Sequence, residues 1–571
     1  MNKDSDPGTP AVAGVWFAVA VLESARNRLR RNVLPLACVA IAAGVALAVG
    51  LLAAPSGDAP SHLFQTWLYR HGGLEVWNNY WYAGRYEFVN YSVLYYALAA
   101  QVGQLGVLVP ASAVLGGGFA IVCRREWGVA ARGPSLAFAA TAPFIMMVAG
   151  VYPFLGGAAT ALLALALVQR GRLVPFGVSL FATLAFSPLA FALLCALLAG
   201  ALLGHAEPRV ALRRHRLALA LVLVVFLTGV LMQRAFPTQG WYPYDLTDAA
   251  IVLVFSLVGL WVTGTSGRAR SLRMLFAAYL ALNLVAFLLK GPIGSNPNRL
   301  FAIAGAPMLW LAANVGPRRS RLVVFPIVAA AVALQVGPWV RDAYSAWNNP
   351  AASAAYWRPA IRFVDSHRSE IAGYRVEAVA TWGHWDAYYI AHQRIPLARG
   401  WFRQDDFPLN RPLYDRGLDA AGYQRWLRSL GVRYVLLPDA PLDFSSAGEA
   451  RLLRSGLSGL IPVGHTSHWT FFELPDATPI VSPPPGSRAQ LSDLEQQRVE
   501  LWASAAGRYI VRVRYSPYWT TLPSSACLSP TADGMTAVTV ATPGFVRLEI
   551  EPDASSLAST ATSNQANSCT N

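Results

Sequence analysis

Apolar residues fill the first 340 positions of this chain in blocks too long and too unbroken for a soluble domain. The first block, 34–54 (LPLACVAIAAGVALAVGLLAA), is long enough to cross a bilayer as a helix. Further blocks lie near 107–123, 134–150, 154–168, 173–187, 188–204, 217–233, 248–265, 274–290, 300–315 and 322–340, making eleven. Several are short or are divided only by Pro or Gly, as at Ser187-Pro188. Ala11 to Leu22 is shorter still and reads as a helix lying in the interface.

The charges between the blocks give the arrangement a direction. With the N-terminus inside, the cytoplasmic loops hold nineteen arginines: Arg26, Arg28, Arg30, Arg31, Arg124, Arg125, Arg132, Arg170, Arg172, Arg209, Arg213, Arg214, Arg216, Arg268, Arg270, Arg273, Arg318, Arg319 and Arg321. The outer loops hold five basic residues, Arg70, Arg85, Arg234, Lys290 and Arg299. A positive-inside bias of this size predicts a cytoplasmic segment 1–33, a transmembrane module 34–340 and an outer location for everything that follows.

Beyond position 341 hydropathy falls and the period changes. Tyr374 to Thr381 and Arg433 to Leu437 read as strands, and Ala420 to Leu430 as a helix stopped by Gly431, which predicts an α/β domain over 341–479. The run Ile480 to Gly486 (IVSPPPG) opens a linker, 480–496. Period-two alternation at Arg508 to Tyr515, Ala537 to Ala541 and Phe545 to Ile550 predicts a small β-sandwich over 497–552, and the Ser, Thr, Ala and Asn of 553–571 predict disorder. The whole pattern is that of a polytopic α-helical membrane protein with about eleven transmembrane helices and a C-terminal extracytoplasmic α/β plus β-sandwich region.

Composition agrees and excludes several classes. The 571 residues are 54% hydrophobic and 13% charged. The net charge of +15 is spread over short interspan clusters, so topology accounts for it and no nucleic-acid partner is expected. Five cysteines show no CxxC or Cys/His metal spacing; Cys527 and Cys569 can pair if both lie outside. There is no Walker A sequence, no dinucleotide glycine pattern and no sizeable cytosolic domain, which argues against a soluble nucleotide donor.

Candidate chemistry concentrates after the first block. The loop GDAPSHLFQTWLYRHGGLEVWNNYWYAGRYEF places Asp58 on the outer face, ahead of a helix that Pro60 suits as a first turn. Asp58 is either that helix's cap or a general base or metal ligand, and His62 follows it at i,i+4 spacing as a partner in proton relay or metal binding. Trp77, Asn78, Tyr80 and Trp81 suit either sugar contact or an interfacial aromatic belt. In the outer region WGHWDAYY offers Trp382, His384 and Asp386 to carbohydrate or to a domain core, with Arg403, Asp405 and Asp406 nearby.

An acidic residue just after the first span, followed by WN-x-YW-x-AG (Trp77, Asn78, Tyr80, Trp81, Ala83, Gly84) and a tyrosine-rich entry to the next block, resembles the GT-C superfamily. Those are polytopic glycosyltransferases that use polyprenyl-phosphate-linked sugars. The layout is also similar to bacterial membrane proteins labelled 6-pyruvoyl-tetrahydropterin synthase-related or YfhO-like, although no zinc-ligand pattern supports the pterin label.

The resemblance implies a bacterial inner-membrane enzyme that moves a sugar from a polyprenyl-phosphate-linked donor to an envelope glycan or glycolipid acceptor on the outer face. Asp58 is the matching acid, as base or as ligand to a divalent cation such as Mg or Mn. The leaving phosphate then requires positive charge, for which Arg299, Arg234, Arg85 and Lys290 are the candidates, Arg299 with donors from Gly294, Ser295 and Asn296. The rival readings are a non-catalytic membrane scaffold and a lipid or glycan transporter.

Overall fold

The computed structural model describes residues 33–561, apart from positions 239, 266 and 416 and the side chains at 318–324, 558, 559 and 561. The readings of the N-terminal segment, of Cys569 and of the last ten residues lie outside the described residues.

All eleven apolar blocks are helical. Helix α1 (Val33–Leu52) is followed by the loop helix α2 (Ala59–Gly72). Then come α3 (Leu94–Trp127), α4 (Arg132–Val148), α5 (Tyr152–Val168), α6 (Leu173–Phe186), α7 (Pro188–Gly204), α8 (Pro208–Arg214) and α9 (Arg216–Ala235). Helices α10 (Leu246–Val262), α11 (Gly267–Leu288), α12 (Arg299–Val315) and α13 (Arg318–Trp347) complete the module. The Ser187-Pro188 junction restarts the chain as read, since the Ser187 hydroxyl accepts from the Ala190 amide at 3.3 Å and Pro188 opens α7. Four helical stretches among the described residues, α1, α3 with α4, α9 and α11, have the length and hydropathy to cross a membrane, and α5, α6, α7 and α10 are shorter apolar helices. This is a multi-pass membrane protein.

The C-terminal part folds back onto this module. Strands β1 (Trp77–Asn78) and β2 (Arg85–Tyr86) form a short antiparallel ladder in the first loop. Next, β3 (Arg375–Ala378), β4 (Val432–Pro438), β5 (Ile461–His465) and β6 (Trp469–Glu473) form a sheet ordered β3-β4-β6-β5, in which only the β3/β4 pair is parallel. The helix Ala420–Leu430 ends where read, at Gly431, whose φ of 75° suits a residue without Cβ. Val376, Leu436 and Phe471 of the sheet share one continuous core with Phe154 and Leu311 of the helices.

Strands β7 (Val481–Ser482), β8 (Ala489–Leu494), β9 (Arg498–Ala503), β10 (Gly507–Arg514), β11 (Trp519–Leu522), β12 (Cys527–Pro530), β13 (Met535–Val540) and β14 (Gly544–Ile550) make the expected sandwich, with sheets β12-β13-β10-β7 and β11-β14-β9-β8. The reading of 480–496 as a linker is corrected: Ile480 and Val481 are buried in the sandwich core, and the proline run only turns the chain between β7 and β8. The tail is also partly ordered, because Ala554–Ala561 is a helix packed on α9. Cys527 is disulfide-bonded.

The aromatic run of the first loop has a different task from sugar contact. Trp81 is fully buried, its indole N–H donating to the Ala387 carbonyl at 3.1 Å, and the Tyr80 carbonyl accepts from the Leu397 amide at 2.8 Å. Trp77 lies in the sandwich core edge-on to Trp519, and its N–H donates to Asn79 Oδ1 at 2.8 Å. Asn78 donates to Glu87 Oε2 at 2.9 Å and accepts from the Tyr80 amide. Gly84 is obligatory here: its φ is 116° and a Cβ would fall 2.5 Å from the Trp77 ring. Trp77, Asn78, Tyr80 and Trp81 therefore clamp the α/β domain and the sandwich to the membrane module, and their rings are spent on that packing.

Candidate functional site

Asp58 sits where it does because Gly57 lets the chain touch the end of α4. A Cβ on Gly57 would lie 2.1 Å from the Ala149 carbonyl oxygen, and the Asp58 amide donates to that same oxygen at 3.0 Å. Asp58 occupies the cap position of α2 but makes no side-chain cap bond, so the capping reading is corrected. Its carboxylate turns instead to Arg299, which donates from Nη2 to Oδ2 at 3.2 Å across 241 residues of sequence. Arg299 also hydrogen-bonds the Tyr91 side chain, and only its Nη2 is committed to the carboxylate.

Arg299 is the first residue of α12, and the turn before it is pinned from below. The Tyr279 hydroxyl donates to the Pro297 carbonyl at 2.9 Å and accepts from the Phe301 amide at 3.2 Å, while Asn298 donates to Asp248 at 2.8 Å. Ser295 and Asn296, read as phosphate donors, are spent locally: the Ser295 hydroxyl accepts from the Asp245 amide and Asn296 donates to the Ile293 carbonyl.

Burial pushes the Asp58 carboxyl up to about 6, although the positive fields of Arg299 and His384 pull the other way. His62, one turn on, is fully buried among Tyr91, Tyr95, Tyr96, Tyr152 and Trp401. Its Nδ1 meets the Tyr96 hydroxyl at 2.9 Å and its Nε2 has no partner. Burial, helped by Arg299, holds this imidazole down to about 3, so it is neutral across the working range.

The α/β domain supplies a third group. His384 has a left-handed backbone, φ 55°, and a buried ring. Arg403 Nη2 lies 3.2 Å from its Nε2, and the same guanidinium grips Asp443 in a two-pronged pair at 2.7 and 2.9 Å. Asp443 Oδ2 is 3.5 Å from His384 Nε2. Burial opposes ionisation of Asp443, but His384 and Arg403 more than offset it and hold the carboxyl well below the usual range. Nε2 of His384 thus stands between the Arg403 guanidinium and the Asp443 carboxylate. Its Nδ1 is buried with no partner and belongs to a ring whose field reaches Asp58.

The remaining candidates are placed elsewhere. Arg85 is neutralised by Glu87 and Asp405, both at 2.8 Å, with its guanidinium 3.7 Å from the Phe402 ring centroid, so it is not free for a phosphate. Arg234 is exposed at the end of α9, beside Ala235, whose carbonyl accepts from Tyr518 of the sandwich. Lys290 is exposed after α11, 5.3 Å from the Trp241 ring centroid. Asp386 is buried and accepts from the Thr381 amide and hydroxyl at 2.8 and 3.0 Å, a structural role. Trp382 alone among the proposed sugar contacts keeps a partly exposed ring.

A divalent ion is poorly served by this donor set. Asp58 and His62 offer one oxygen and one nitrogen, Arg299 already places a cation on the carboxylate, and no group of three or more His, Cys, Asp or Glu side chains converges among the described residues.

Behind the pair, an apolar cavity of about 530 Å³ runs between the helices, lined by Phe119, Phe154, Leu162, Leu194, Phe276 and Leu300 among others. Arg299 is not in the lining, but its guanidinium lies 5.5 Å from the ring centroid of the lining residue Phe154.

No family model matches the chain, and no curated protein matches it. Solved structures similar to it are glycosyltransferases of the GT-C kind, the group that the first loop resembles. The arabinofuranosyltransferase AftD from Mycobacteria is 14% identical over 91% of this chain and 60% of its own, with a TM-score of 0.45. The Archaeoglobus fulgidus oligosaccharyltransferase, tethered with an acceptor peptide, is 10% identical over 71% of this chain and 69% of its own, with a TM-score of 0.42. ArnT from Cupriavidus metallidurans is 14% identical over 81% of this chain and 98% of its own, with a TM-score of 0.39. The chain thus spans about 60% of the length of AftD. At such identities and overlaps the functional reading rests on the site's own residues.

Proposed function

We propose that this protein is a glycosyltransferase of the bacterial inner membrane, with about eleven spans, a cytoplasmic N-terminus and an outer C-terminal region. It transfers a sugar from a polyprenyl-phosphate-linked donor to a hydroxyl of an envelope glycan or glycolipid. The observation that carries this reading is the Asp58–Arg299 pair, a base held against a phosphate-sized cation. An apolar cavity that could take a hydrocarbon tail lies close by, since the ring of its lining residue Phe154 is 5.5 Å from the Arg299 guanidinium.

In this reading the donor's tail enters the cavity and its phosphate takes Arg299 N–H groups not turned to Asp58 or Tyr91, aided by the positive N-terminal end of α12. Asp58 accepts the proton of the acceptor hydroxyl as its oxygen bonds to the anomeric carbon. The bond from that carbon to the phosphate oxygen breaks, and polyprenyl phosphate leaves with the electron pair. His384, steered by Arg403 and Asp443, offers its unpartnered Nδ1 to a hydroxyl of the sugar or the acceptor. Trp382 offers an acceptor-facing ring. Arg299 supplies the positive charge, so no protein-held divalent ion enters the scheme.

The test is transfer of label from a panel of polyprenyl-phosphate sugars to extracted envelope acceptors in vesicles holding wild type or Asp58→Asn. Label reaching acceptor with wild type alone supports the reading. Equal transfer by both removes Asp58 as base, and no transfer from any donor leaves the scaffold and transporter readings ahead.

A further inference from the structure

The cavity does not stop in the middle of the helices. Its lining follows α5 from Phe154 to Gln169, about 22 Å at 1.5 Å per residue, most of the thickness of a bilayer's hydrocarbon core. At the end remote from Asp58 the character of the wall changes. Arg125, His205, Arg214 and His215 line it there, with Glu126 the acidic member of the lining, and all four basic side chains are exposed. Gln169 reaches the Val122 carbonyl through Nε2 at 3.5 Å, and its Oε1 is buried without a partner.

We infer that this remote end is a binding site for an anionic phospholipid of the opposite leaflet, whose phosphate is held by Arg125 and Arg214 and whose chain occupies the adjoining apolar cavity. Charge complementarity selects the occupant. A hydrocarbon tail alone would leave two guanidinium groups at the mouth with nothing to bind, and a free anion would make no use of the walls formed by Leu165, Val168 and Leu202. Basic pockets between transmembrane helices capture lipid phosphates in this manner, and a guanidinium grips a phosphate through paired N–H groups. The idle Gln169 Oε1 is an acceptor waiting for a head-group hydroxyl. The head-group site is separate from the Asp58 end and its occupant needs no sugar, so binding is measured apart from the transfer reaction, while the acyl chain and a donor tail compete for the same cavity.

The test uses the purified full-length protein, delipidated in neutral detergent and titrated with phosphatidylglycerol, with phosphatidylcholine of the same chains, and with inorganic phosphate. Bound lipid is counted by native mass spectrometry. The expected result is phosphatidylglycerol binding that phosphatidylcholine does not reproduce, that millimolar phosphate does not displace, and that weakens roughly thirty-fold in Arg125→Ala/Arg214→Ala. Arg209→Ala/Arg213→Ala removes two arginines that do not line the cavity and should bind as wild type does. Ala201→Phe keeps the guanidinium groups but fills tail space, and should also lose the lipid even if trimming α8 loosens the fold. Equal binding of both lipids, retention by the Arg125/Arg214 variant, or displacement by phosphate would overturn the assignment.

Discussion

The position of Asp58 sets a pH dependence that can be worked out in advance. Its carboxyl is pushed up to about 6 by burial, against an ordinary value of roughly 3.9. A base must be ionised to work, so kcat/KM should rise with pH through a midpoint of about 6 and fall to about a tenth of its plateau at pH 5. An ordinary aspartate would leave the profile flat above pH 5. Arg299 lowers the Asp58 value, so Arg299→Gln should move the acid limb upward as well as cutting the plateau by roughly a hundred-fold through loss of phosphate contact. Asp58→Asn should lose roughly two to four orders of magnitude and the limb with it. The assay is radiolabel transfer in proteoliposomes buffered from pH 4.5 to 8.5, with kcat/KM taken from donor titrations. A profile flat between pH 5 and 8, or a limb that survives in Asp58→Asn, would refute the assignment.

Other consequences are measurable on the folded protein. Because the folded Asp58 holds its proton more tightly than the unfolded chain does, that stability is fully present below pH 3.8 and is lost as pH rises through about 6; Asp58→Asn should therefore narrow the gap in melting temperature between pH 5 and pH 8. Trp81→Ala should destabilise by about 3–5 kcal/mol, read as a fall in melting temperature. Arg85→Ala strands Glu87 and Asp405 and should cost about 3–5 kcal/mol by the same measure, without a specific loss of donor affinity. Transfer should persist in excess EDTA; abolition with recovery on adding Mg would show that an ion does what is here given to Arg299.

Much of the membrane module was legible because its signals are local. Eleven apolar blocks became helices, the Ser187-Pro188 restart carried its own cap, and Asp58 and Arg299 were both picked out by residue type beside a span. Their meeting across 241 positions was not legible, since it depends on where α1, α4 and α12 end relative to one another. The aromatic loop was misread for a related reason. Trp77, Tyr80 and Trp81 have the composition of a sugar platform or of an interfacial belt, and only their partners Trp519, Leu397 and Ala387, all more than 300 positions away, show that they join domains. Arg85 likewise looked like a spare cation until Asp405 closed on it.

His384 and Asp443 show where sequence reasoning has least purchase. Asp443 carries the signature of a cap, and it does accept from the Ser445 amide at 2.9 Å, so its local role gives no sign of the second one. The signal that was available is the composition of WGHWDAYY, which contains His384; its φ of 55°, uncommon for a non-glycine residue, shows only in the structure. The turn is closed by the His384 amide donating to the Thr381 carbonyl at 2.8 Å, and Arg403 holds Asp443 and the imidazole together. The ring whose field reaches Asp58 is thus positioned by the α/β domain, while Asp58 and Arg299 belong to the membrane module. The first loop clamps these two bodies, so a mutation in that clamp, such as Trp81→Ala, should disturb the register between His384 and Asp58 before it disturbs either group's own surroundings.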